Sequence, residues 1–87
     1  MRIEGKLIKR TYTISSTVVG SNDANDSFTD SLEKCLVQLC REFHIPVPLW
    51  LNKNTREFAR FRRTFFFSEQ FDEDVGFDRF EIRQIRD

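Results

Sequence analysis

Glycine, proline, cysteine and histidine are all scarce here: three Gly, two Pro, two Cys and one His in 87 residues. Each scarcity excludes something. With glycines only at positions 5, 20 and 76, no contiguous loop can cradle a phosphate, and neither a dinucleotide fingerprint nor a Walker-type loop occurs. The Gly-x-Ser-x-Gly elbow of acyl-transfer enzymes is missing. No apolar run approaches the roughly 18 residues that span a bilayer. The opening residues Met1-Arg2-Ile3-Glu4-Gly5-Lys6 lack the apolar stretch of a signal peptide, so a cytoplasmic protein with no membrane partner is expected. Net charge is absent too. Fourteen basic residues balance fourteen acidic ones, which predicts neither a polyanion binder nor an acidic tail. The length points to a single domain, 1–87, with little room for an enclosed substrate cavity.

What the chain has in abundance is phenylalanine: ten Phe against one Tyr and one Trp. A Phe ring can be buried without a polar partner, which suits a small domain that must bury much apolar area per residue. The expectation is that these rings point inward and that mutually offsetting ions cover the outside.

Residues 2–19 read as β. Ile3, Gly5 and Leu7 alternate with Arg2, Glu4 and Lys6, and the phase then slips to Ile8, Tyr12 and Ile14. Adjacent Leu7 and Ile8 predict a bulge, or burial on both faces. No turn dipeptide divides the segment, so one long bent strand is expected in preference to a hairpin. Residues 20–27 form a loop of turn formers. Ser27 and Asp30 then make a helix-capping pair. The stripe Phe28, Leu32, Cys35, Leu36, Leu39 and Phe43 predicts an amphipathic helix ending near His44, ahead of Pro46.

Ile45 to Leu51 is an extended strap whose alternate prolines deny it a place inside a sheet, with Leu49 or Trp50 plugging the core. Asn54 and Glu57 suggest a second capping pair, opening a short helix from Thr55 to about Arg60 that buries Phe58. Strands follow over 62–67 and 77–85, joined by the acidic connection 68–76. The fold class is α+β: a small three-stranded, mainly antiparallel sheet with one long amphipathic helix on one face and a short second helix, in the order β-α-α-β-β.

Four features could carry chemistry. The first is the basic-aromatic segment 53–67, where Lys53, Arg56, Arg60, Arg62 and Arg63 face only Glu57. Arg grips phosphate through its planar fork and Phe can stack on bases, so these residues form a candidate nucleic-acid site. The plainer reading puts Phe58, Phe61 and Phe65 in the core and the arginines in solvent. Acidic Glu69 to Asp78 would then neutralise them across a hairpin, or an acidic protein partner would meet them. The second is the pair of acidic loops at 23–27 and 72–78. Both fail the calcium-loop register at loop positions six and twelve. The third is Cys40 and His44, four residues apart on one helix face. They are too few for structural zinc, and a catalytic pair would need an activated, accessible thiolate. Cys35 and Cys40 stand about 140° apart around the helix and cannot bridge each other, which leaves buried reduced thiols. The fourth is the strap itself, where Pro48, Leu49 and Trp50 form a candidate protein-docking ridge. The sheet edges offer a further route, through strand addition.

The stretch Pro46 to Phe67 (PVPLWLNKNTREFARFRRTFFF), with Phe77-Asp78-Arg79-Phe80-Glu81-Ile82, resembles small uncharacterised proteins of Gram-positive bacteria. That resemblance implies no activity, cofactor or site residue. The residues themselves point to a non-enzymatic module, without cofactor or metal, that binds another macromolecule. A protein or a second copy comes first, and nucleic acid through 53–67 is the alternative.

Overall fold

The first twenty residues hold the largest departure from expectation. In a computed structural model of the chain, which describes residues 1–86, they form a hairpin of β1 (Arg2–Lys9) and β2 (Tyr12–Gly20), not one bent strand. The reversal uses Arg10 in the left-handed region at φ 57°. A non-glycine residue held there costs roughly 1–2 kcal/mol. Remote contacts offset that cost. The Arg10 amide donates to an Asp78 carboxylate oxygen, the Arg79 guanidinium donates to the Arg10 carbonyl at 3.2 Å, and the Asp78 amide donates to the Ile8 carbonyl at 2.9 Å. The turn is stabilised by residues nearly seventy positions downstream, so no local turn dipeptide is needed. The slip expected at Leu7 and Ile8 is present as a register shift, with Ile14 on β2 as the extra residue.

The sheet therefore has four strands, all antiparallel, in the order β2-β1-β4-β3, where β3 is Arg63–Phe67 and β4 is Arg79–Ile85. Two helices accompany it, α1 (Phe28–Phe43) and α2 (Asn52–Phe61). The three-stranded expectation fails because the hairpin contributes two strands, with β1 pairing on both sides. Alternation along the strands places Ile3 and Leu7 of β1 on the same face as Phe80 and Ile82 of β4 and Phe66 of β3. All five are buried.

Helix α1 lies across that face. The Ser27 hydroxyl accepts from the Asp30 amide at 3.1 Å, as the capping pair predicts. Leu32, Cys35, Leu36 and Leu39 are buried from the predicted stripe. The helix ends at Phe43, with His44 as a left-handed C-cap at φ 57°. Gly5 sits beneath Leu39. A Cβ built there would come within 2.8 Å of Leu39 Cδ2 and 3.1 Å of Phe80 Cε1, so only glycine allows the helix this close to the sheet.

Helix α2 begins three residues before the predicted start, with Leu51 as N-cap. Leu51 has no polar side chain. Asn54, expected as the cap, instead sits in the first turn, and its Oδ1 accepts from the Leu51 amide at 2.9 Å. No helix among the described residues is long and apolar enough to cross a membrane.

Candidate docking groove and the basic segment

The strap after α1 is fastened to the single 3-10 turn Ser68–Gln70. The Leu49 amide donates to the Gln70 carbonyl at 2.8 Å, and Gln70 Nε2 donates to the Leu49 carbonyl at 3.0 Å. Fixed this way, Pro48 is buried, Trp50 is half-buried and Leu49 is 63% exposed. The Trp50 ring lies 5.5 Å from Phe66 and 6.5 Å from Phe58, centroid to centroid. Its Nε1–H donates to Thr55 Oγ1 at 2.8 Å. Trp50 is therefore the plug, and of the predicted ridge Pro48, Leu49 and Trp50 only Leu49 stands proud.

Beside this plug the helices leave an open cleft of about 570 Å³. Phe28, Leu32 and Leu36 form the α1 wall, Phe58 and Ala59 the α2 wall, and Val47, Pro48 and Trp50 the side given by the strap. The cleft has a sequence origin. Only Asn54 and Phe58 of α2 are buried, a stripe too narrow to cover the wide apolar face at the start of α1. Ala59 stands where a larger side chain would close the gap. Phe28, predicted as core, is consequently 46% exposed and Val47 is 51% exposed. Glu33 and Arg62 are its charged lining residues, and the Trp50 N–H is already occupied, so the interior offers mainly apolar contact.

The predicted basic site does not assemble as one field. Lys53 Nζ donates to the Phe65 carbonyl at 3.2 Å and stands 4.8 Å from the Phe67 ring. Arg56 and Arg60 are exposed on α2, with Arg60 5.4 Å from the Phe61 ring. Arg62 is the left-handed C-cap of α2 and lies 5.5 Å from the Phe28 ring, at the groove rim. Arg63 is on the sheet, 3.7 Å from the Glu81 carboxylate. The expected neutralisation by the acidic connection is not found either. Among the described residues no ion pair joins 53–63 to 68–78. Nor do all the phenylalanines point inward: Phe28, Phe61 and Phe67 are exposed, and Phe65 is half-buried.

Sequence reasoning missed a surface that only strand register creates. On the face of the sheet away from α1, Arg63, Phe65 and Phe67 of β3 pair with Arg83, Glu81 and Arg79 of β4. Phe65 lies between two guanidinium groups, Arg63 at 5.8 Å and Arg79 at 6.0 Å. The alternation of charge along β4 was readable, but its neighbours on β3 were not.

The Cys40–His44 pair has the opposite of catalytic character. Cys40 is 2% exposed, and burial pushes its thiol up to about 12. Burial raises the Cys35 thiol as well. His44 is exposed at the helix end. No group of three or more His, Cys, Asp or Glu that could hold a metal occurs among the described residues. Comparison with protein-family models, with curated proteins and with solved structures finds no match to this chain.

Proposed function

We propose that this protein is a non-enzymatic interaction module that holds an amphipathic, acid-flanked segment of another protein in the groove between α1 and α2. The observation that carries this reading is an open apolar cleft edged by Arg62, a guanidinium with no carboxylate partner among the described residues. Arg56, Arg60 and Arg62 form no ion pair among the described residues. An apolar anchor side chain would fill the space beside Trp50 and Phe58. Acidic residues on the same segment would meet the α2 rim, giving orientation and faster encounter. The setting is the cytoplasm, where Cys35 and Cys40 stay reduced.

The test uses two series of amphipathic peptides with Leu or Trp anchors, one flanked by Glu and one by Lys. NMR titration of the Trp50 indole N–H reports occupancy. The Glu series should bind, should weaken on Arg62→Ala, and should be blocked by Ala59→Trp, which fills the cleft from an exposed helix position. Binding by neither series, or equal binding by the Ala59→Trp protein, refutes the reading.

A second reading rests on the other face. Phe65 between Arg63 and Arg79, with Phe67 exposed under Lys53, suits stacking of single-stranded bases over a sheet. Arg63, Arg79 and Lys53 would carry it, with Arg56 and Arg60 on a different surface. Mixed oligonucleotides should then bind at low salt, lose affinity steeply as salt rises, and lose it again on Phe65→Ala. No binding at low salt removes it.

A further inference from the structure

The two borders of the sheet differ in how their backbone groups are satisfied. β2 is a border strand of nine residues, Tyr12 to Gly20, with no charged residue and no proline. Border strands ordinarily carry a lysine, a proline or a covering side chain, because bare N–H and C=O groups recruit other strands. Here the direction of each group follows from the ladder. Met1 and Ser21 exchange both of their backbone hydrogen bonds, at 2.8 and 2.9 Å, which makes them a hydrogen-bonded pair. Alternation then makes Ile3–Val19, Gly5–Thr17 and Leu7–Ser15 the pairs that bond inward. Ser16, Val18 and Gly20 are left with N–H and C=O directed away from the sheet. None of the described hydrogen bonds outside the ladder uses them. At Ile14 the bulge ends the regular stretch.

We propose that Ser16 to Gly20 pairs with the same segment of a second copy, antiparallel about a two-fold axis at Val18, joining two sheets into one of twice the width. The surface therefore takes another copy of this chain. Ser16 of one copy would face Gly20 of the other, and Val18 would face Val18, each pair exchanging both backbone bonds. On the opposite side of the strand, Thr17 would face Val19. These are small or β-branched residues that pack well across antiparallel strands. A strand without charge brings no like charges together at a two-fold axis, which is where identical strands with a lysine or glutamate would repel. This register also stops short of the bulge at Ile14, whereas a shift toward Tyr12 would run into it. Groove and border are separate surfaces, so this dimer does not depend on the peptide reading.

Sedimentation velocity from micromolar to millimolar concentration tests it. The wild type should pass from monomer to dimer. Val18→Lys places two ammonium groups at the axis and should raise the dissociation constant by about tenfold or more, with an unchanged circular dichroism spectrum. Should that protein fold poorly, Val18→Pro removes an outward N–H and no bond within the hairpin, and should give a folded monomer. Register has its own readout. Val18→Cys should cross-link to itself on oxidation, since hydrogen-bonded antiparallel pairs bring Cα atoms to about 5.5 Å, within disulfide reach. Ser16→Cys, facing Gly20, should cross-link far more slowly, and the native thiols are buried. A wild type that stays monomeric throughout overturns the proposal, whether or not another protein's strand can use the border. So does a dimer indifferent to Val18→Lys but lost on Ala59→Arg, which would place the contact in the groove.

Discussion

β3 and β2 both end the same sheet, yet the molecule treats them as opposites. Along β3, side chains from outside the sheet occupy the outward backbone. Asn54 Nδ2 and Lys53 Nζ both donate to the Phe65 carbonyl, at 2.9 and 3.2 Å, and Gln70 Oε1 accepts from the Phe67 amide at 3.0 Å. Asn54 is fully buried, and also donates to Thr64 Oγ1 at 2.7 Å while its Oδ1 accepts from Gln70 Nε2 at 3.1 Å. Thr64 passes the chain on to Glu57 at 2.6 Å. Along β2 no described hydrogen bond from a side chain does the same. The difference shows that side chains can occupy part of a sheet border, here the Phe65 carbonyl and the Phe67 amide, and that doing so ties that border into the fold. β3 is fastened to α2 and to the Ser68–Gln70 turn; β2 is free to act.

The broadest perturbation should erase the comparison. Burial pushes the Cys40 thiol in the folded chain up to about 12 from the ordinary value of 9.0. Between those values the folded protein holds a proton that the unfolded chain has released, so stability falls as pH rises. It is complete below about pH 9 and declines toward pH 12. Alkaline titration followed by amide exchange should show β2 and β3 lost together, because Cys40 belongs to the one core cluster that also holds Val19 of β2 and Phe66 of β3. Cys40→Ala should flatten the alkaline part of the profile.

Local changes should sharpen it. Asn54→Ala leaves several buried partners unpaired at once, and is expected to cost about 3 kcal/mol in urea denaturation. Gln70→Ala removes three bonds at the rim of the same network and should cost about 1–2 kcal/mol, with faster exchange at the Phe67 amide. Val18→Lys, on the open border, should change monomer stability by less than about 0.5 kcal/mol, measured at dilution where no dimer forms. If Val18→Lys cost as much as Asn54→Ala, β2 would not be the free border the ladder indicates.

Local patterns disclosed the long helix well, since Ser27, the Leu32–Leu39 stripe and Pro46 each act within a few residues. They disclosed the strap and the approximate positions of the last two strands for the same reason. The hairpin was invisible because Arg10 adopts its turn through Asp78 and Arg79. The spacing of Asn54 to Glu57 predicts a cap; its burial depends on Thr64, Phe65 and Gln70 closing around it. At the candidate site, Trp50 was legible as a plug, whereas the groove beside it needed the placement of α2 over α1. The four arginines shared a segment but not a surface, because a helix end and a strand start divide them.

By itself the amino-acid sequence determined an α+β chain with an amphipathic helix, a reduced thiol pair and no recognisable catalytic motif. These follow from periodicity, residue counts and short-range chemistry. Tertiary structure alone decided the number of strands, which phenylalanines stay in solvent, and which border of the sheet is fastened by side chains. Those properties depend on the order in which strands lie side by side, and that order is set by packing between residues far apart in the chain.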